Sequence, residues 1–101
     1  MSALRILAPA TLALAAAAVA LSPIASADPG SFLEELGWNQ VSLPGKTAQQ
    51  TVDAGYATCA ELKGGVSVLD EMSAVEARYQ FAQGTLFVSA STTNLCPDFA
   101  G

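Results

Sequence analysis

The chain has 101 residues, nine acidic against four basic side chains, no histidine, and a net charge of −5. That length holds one domain at most. The acidic balance argues against nucleic acid and anionic lipid as partners, and the missing imidazole removes Ser-His and Cys-His nucleophile pairs, imidazole bases and most zinc sites.

The first segment, Met1 to Ala27, reads as a secretory signal peptide. Arg5 is its only charge, Ile6 to Leu21 is an apolar run rich in Ala and Leu, and Ser22-Pro23-Ile24 breaks any helix. Ala25-Ser26-Ala27 is a small-x-small site, which places cleavage between Ala27 and Asp28. The competing reading is a retained membrane anchor. A bilayer span needs ~20 apolar residues, whereas this run has 16 with Pro9 inside it. The chain has no twin arginine and no cysteine near residue 27, so neither a twin-arginine route nor a lipid-modified terminus is supported. The expected organisation is a signal peptide over 1–27 and an exported domain over 28–101. That domain is expected outside the cell or in its envelope, with no membrane span after cleavage.

The exported part keeps nine acids and three bases in 74 residues, a net charge of −6. A domain of that size buries only about 60–65% of its unfolded surface and is marginal without help. An oxidising compartment lets two cysteines supply the help. The single intrachain pairing is Cys59–Cys96, 37 positions apart. Loop entropy gives such a crosslink about 4 kcal/mol.

Ser31 and Glu34 stand at capping-box spacing, and Phe32, Leu33 and Leu36 share one face, so a short helix is predicted up to Gly37. A longer helix running past Gly37 is the alternative, at a cost of ~1 kcal/mol for the glycine. Trp38 to Lys46 contains Pro44-Gly45 and reads as a loop whose Trp38, Val41 and Leu43 fold back on the core. Thr47 and Gln50 form a second capping box, and from it runs the strongest predicted helix, Ala48 to Lys63. Its stripe is Ala48, Val52, Tyr56, Cys59 and Leu62, with Thr47, Gln50, Asp53, Thr58 and Glu61 mainly off it. Lys63 suits the C-terminal dipole, and Gly64-Gly65 ends the helix.

A third helix is predicted over Val66 to Ala77, started by Ser67 or Asp70. Val68, Leu69, Met72 and Val75 make its apolar side, and Glu71 and Glu76 its wet side. Arg78-Tyr79-Gln80 reads as a break or kink. Phe81 to Cys96 is ambiguous, because Leu86-Phe87-Val88 has strand propensity. A lone strand leaves its backbone groups unpaired, so helix is favoured, with Phe81, Thr85, Val88, Thr92 and Leu95 on one face. Pro97 would stop it, and Asp98 to Gly101 reads as a frayed tail. The expected fold class is all-α, a bundle of three to four helices with one disulfide.

Phe32-Leu33-x-x-Leu36, then Val52-x-x-Gly55-x-x-x-Cys59-x-x-Leu62-x-x-Gly65, then Phe87-Val88 with Ala90 and finally Cys96-Pro97 occur in that order. Together they resemble the small secreted proteins of mycobacteria and their relatives grouped as domain of unknown function 732. The likeness covers Asp28 to Pro97. It implies an all-helical exported domain with one disulfide and no assigned activity. Two departures stand out: the family has a glycine near Gln40, where this chain places Gly37 earlier, and an aromatic residue before the second cysteine, where this chain has Leu95.

No catalytic residue, metal site or cofactor is expected. Cys59 and Cys96 are not in a Cys-x-x-Cys arrangement, so a structural disulfide outweighs a redox pair. The adjacent pairs Glu34-Glu35 and Asp70-Glu71 point about 100° apart on a helix and read as solvated faces. Trp38, Tyr56, Phe81 and Phe87 are the candidates for an apolar-ligand or interaction surface, although aromatics at helical spacing more often form plain core. The favoured function is a non-enzymatic module that binds an envelope or extracellular protein. The alternative is a carrier or sensor of an apolar small molecule such as a lipid.

Overall fold

The structure, a computed structural model, describes residues 26–99. The signal-peptide reading falls outside the described residues except for its last positions, as do Ala100 and Gly101. The described residues form four helices and no strand: α1 (Pro29–Trp38), α2 (Ala48–Lys63), α3 (Val68–Tyr79) and α4 (Gly84–Asn94). The ambiguous stretch is therefore helical.

Three of the four helices start on a local cap, and α4 starts at Gly84 with no side-chain cap. Asp28, not Ser31, caps α1: its carboxylate accepts the Ser31 amide at 3.0 Å, and Pro29 sits in the first turn where it loses no hydrogen bond. The Ser31–Glu34 box is displaced because the cap lies three residues earlier. Thr47 and Gln50 form the reciprocal capping box on α2. Ser67 caps α3 by accepting the Asp70 amide at 3.1 Å.

The first helix runs past Gly37 by one residue and then stops at Gln40, whose φ is 58°. The Val41 amide closes back on the Leu36 carbonyl at 2.9 Å, a Schellman-type end. Gln80 stops α3 the same way, with φ 60° and the Phe81 amide on the Glu76 carbonyl at 3.2 Å. The expected break at Arg78-Tyr79-Gln80 thus shrinks to one residue, because α3 continues through Tyr79. The last helix ends at Asn94, before Pro97 can act.

The most central element is α4, which packs against each of the other three helices. Phe87 is its fully buried anchor. Its ring meets Phe32 and Phe81 edge-on, each at 5.7 Å between centroids, and Tyr79 at 6.4 Å. Val75, Val88 and Ala90 are also fully enclosed. Val41 and Leu43 of the α1–α2 loop are buried as expected, but Trp38 is not: it is 85% exposed at the end of α1.

The buried face of α2 is rotated from the expected stripe. Thr51, Ala54, Gly55 and Thr58 are buried beside Val52, Cys59 and Leu62, whereas Ala48 and Tyr56 are exposed. The threonines enter the core because each hydroxyl donates to a carbonyl one turn back, Thr51 to Thr47 at 2.9 Å and Thr58 to Ala54 at 3.0 Å. Ser91 does the same to Phe87 at 2.9 Å on α4, where Thr85 and Leu86 face outward.

Two ties close the bundle. The disulfide Cys59–Cys96 joins α2 to the segment after α4, with Cα atoms 6.0 Å apart. The Asp28 amide donates to the Asn94 carbonyl at 2.7 Å, and the Asn94 side chain donates to Glu35 at 2.9 Å. The tail is held further than expected: Asp98 pairs with Lys63 at 3.3 Å and Phe99 packs on the core.

Candidate functional site

The loop from Gly64 to Ser67 turns the chain sharply between α2 and α3. Gly65, at φ 113°, supplies a backbone angle that side chains resist. The turn leaves an apolar groove at this corner. Leu62 from α2, Val66 from the loop, Val68 and Leu69 from the start of α3 and Phe99 from the tail line it, with Gly65 and Ser67 between them. Its volume is about 380 Å³, and it is partly open to solvent. Leu69 is 75% exposed, which corrects its expected place in the core. The core-facing ladder of α3 is Val68, Met72, Val75 and Tyr79. Leu69 lies about 100° off it, and that offset was the available signal.

The four aromatic candidates do not share a surface. Phe81 and Phe87 belong to the core cluster. Trp38 stands in solvent at the end of α1, and Tyr56 is 41% exposed along α2. None of them lines the groove. Phe99, Val66 and Leu69, which do, lie where the sequence pattern points to tail, helix start and core. A smaller hollow of about 240 Å³ lies between Lys46, Gln50, Asp53, Ala54 and Tyr79, with the Lys46 ammonium 5.8 Å from the Tyr79 ring centre.

A second feature departs from expectation. Glu71, expected on the wet face of α3, is 1% exposed, and neither of its carboxyl oxygens has a hydrogen-bond donor in its ionised form. It faces Glu61 of α2, whose carboxylate accepts from Arg78 at 3.1 and 3.2 Å. Burial, then the hydrogen bond and charge of Glu61, push the Glu71 carboxyl up to about 7, against the weaker opposing pull of Arg78 and Thr58. The Glu71 hydrogen bond, more than Arg78, lowers the Glu61 carboxyl from its ordinary value. Two carboxyl groups side by side share a proton in this way, with one held neutral.

Among the described residues, no cluster of three or more metal-ligating side chains is present, and no helix is long and apolar enough to cross a membrane. No curated protein matches the chain, and no solved structure matches it. A family model described as Protein of unknown function (DUF732) matches residues 26–98, which takes in all four helices, both cysteines and the Asp28 cap. The chain belongs to that family, DUF732.

Proposed function

We propose that the protein is an exported, non-enzymatic binding module that docks an apolar element of an envelope or extracellular protein into the corner groove. The observation that carries this reading is Leu69, a large aliphatic side chain held in solvent at the rim of an apolar groove. Such a side chain gains free energy only when something covers it. The groove sits on a domain rich in carboxylates, with the exposed Asp70 next to Leu69. A partner segment with apolar residues flanked by basic ones complements it.

Export is supported by the Ala25-Ser26-Ala27 site and by the start of the fold immediately after it. The Asp28 nitrogen donates to the last carbonyl of α4. Cleavage would turn that donor into an ammonium at a helix C-terminus, where positive charge is favoured.

The test is a photo-crosslinking residue at Leu69, with the same residue at Gln49 as control, in the cell that exports the protein. The expected result is a discrete protein adduct from position 69 only, suppressed when Val66→Ser is added. Leu69→Ser should leave thermal stability within about 0.5 kcal/mol, since the side chain is outside the core. Equal adducts from both positions, or none from 69, overturn the reading.

A second reading, a carrier of an apolar small molecule, is favoured by the groove volume, which falls within the span of ligand sites, about 300–1,000 Å³. Native mass spectrometry of the exported protein separates the two. A retained mass of a few hundred daltons, lost in Leu69→Ser, selects the carrier.

A further inference from the structure

Glu71 holds a carboxyl group inside the bundle with nothing to receive its charge. Burying an ionised carboxylate without a partner is strongly unfavourable. The groups around it come from two helices. From α2 it faces Glu61 and Thr58, and from its own helix Arg78. The Thr58 hydroxyl already donates to Ala54 at 3.0 Å, and Arg78 already reaches Glu61. The remaining α3 acids point elsewhere: Asp70 is exposed in the first turn, and Glu76 accepts the Gly84 amide at 2.9 Å. The fourth helix also packs on α3, and it carries no charged or titratable side chain. Lys63 of α2 is paired with Asp98.

One arrangement relieves the buried charge. Glu71 keeps its proton and donates it to the Glu61 carboxylate, and Glu61 accepts from Arg78 on its other side. We infer that Glu71, Glu61 and Arg78 form a single-proton latch across the seam between α2 and α3, closed in mild acid and loosened when Glu71 loses its proton to solvent. The latch stands whether or not the groove binds a partner.

The sign follows from the shifts. The Glu71 carboxyl is raised from 4.5 to about 7, so the stability it contributes is complete below 4.5 and is lost as pH rises through 7. The Glu61 carboxyl is lowered from 4.5, so its contribution is lost only as pH falls below that value. Between pH 4.5 and about 7 the slope therefore belongs to Glu71, and it levels off above that. That window is unusually clean, because the chain has no histidine. The terminal amine of the exported chain, ordinarily at about 7.7–8.0, loses its charge above that window, and its contact with Asn94 is common to wild type and variants.

The test uses the oxidised protein after export. Side-chain carboxyl carbon shifts of Glu61 and Glu71 are followed by NMR from about pH 3 to 9, a span covering both ordinary and raised carboxyl values. Urea midpoints are measured over the same range for wild type and Glu71→Gln. Glutamine keeps the shape and a donor toward Glu61, so it mimics the closed latch. Glu71 is expected to titrate near 7, with Glu61 below the other glutamates. The wild-type midpoint should fall across the window, and that of Glu71→Gln should stay level. Glu71 titrating together with the exposed glutamates overturns the proposal, and so do parallel stability profiles. If Glu71→Gln fails to fold, the wild-type titration decides alone.

Discussion

Gly55 lies where α2 crosses both Phe32 of α1 and Leu95 beyond α4. A methyl group placed there would meet Leu95 Cδ1 at 2.5 Å and the Phe32 ring at 2.8 Å. Leu95 has a flexible end that can move, whereas the Phe32 ring is fully buried and wedged against Phe87. Overpacking of this kind costs about 1–3 kcal/mol. Alanine in mid-helix recovers at most about 1 kcal/mol relative to glycine, so sterics win. Gly55→Ala should destabilise by about 1–2 kcal/mol and lower Tm by about 4–8 °C for each kcal/mol, read by thermal circular dichroism. A Tm at or above wild type would mean that α2 can back away from Phe32. The space that Leu95 fills is the one the glycine leaves open.

At the scale of elements, the existence of each helix is legible, and for α2 so are both boundaries to the residue. Ala48 to Lys63 was readable because a capping box, a periodic face and a Gly-Gly stop agree on it. The facing of that helix was less legible. Large apolar side chains drew the stripe through Tyr56, while the true contact face is made of small and hydroxylated residues, Thr51, Ala54, Gly55 and Thr58. Their burial depends on hydroxyls bonded within the helix and on the room at Gly55. Glu71 escaped for the converse reason. Its charge marked it as wet, and only the presence of Glu61 across the seam lets it be buried as an acid. The groove was missed because Leu69 was counted with the core and Phe99 with a frayed tail. The left-handed stop of α1 falls at Gln40, three residues beyond the expected Gly37. A non-glycine residue in that region gives up about 1–2 kcal/mol, and glycine would lose about 0.5–1 kcal/mol in unfolded-chain entropy. Gln40→Gly should therefore stabilise by roughly 0.5–1 kcal/mol, seen as a higher urea midpoint with an unchanged slope. A lower midpoint would show that the Gln40 side chain contributes more than its backbone angle costs.

For the molecule as a whole, the question is how much of the bundle rests on its crosslink. The last helix packs against the other three and carries Phe87, which meets Phe32, Tyr79 and Phe81, yet its buried face is largely small: Gly84, Ala90 and Ser91 beside Phe87 and Val88. The disulfide fastens the end of that helix to α2 across 37 positions. A closed loop of this size is worth about 4 kcal/mol, while domains in this size class have total stabilities near 5 kcal/mol at the low end. The crosslink is thus comparable with everything else that holds α4 in place. Both cysteines are buried, so a reductant reaches the bond only when the tail or the bundle opens. Reduction should consequently be slow in native buffer and fast in denaturant. After the denaturant is removed with the thiols kept reduced, most of the far-UV helical signal should fail to return. Cys59→Ala/Cys96→Ala should behave like the reduced protein, since it removes the same loop constraint without leaving thiols. If either form melts within a few degrees of the oxidised protein, packing around Phe87, with the Asp28–Asn94 tie, holds α4 unaided. The disulfide would then guard the fold against opening rather than create it.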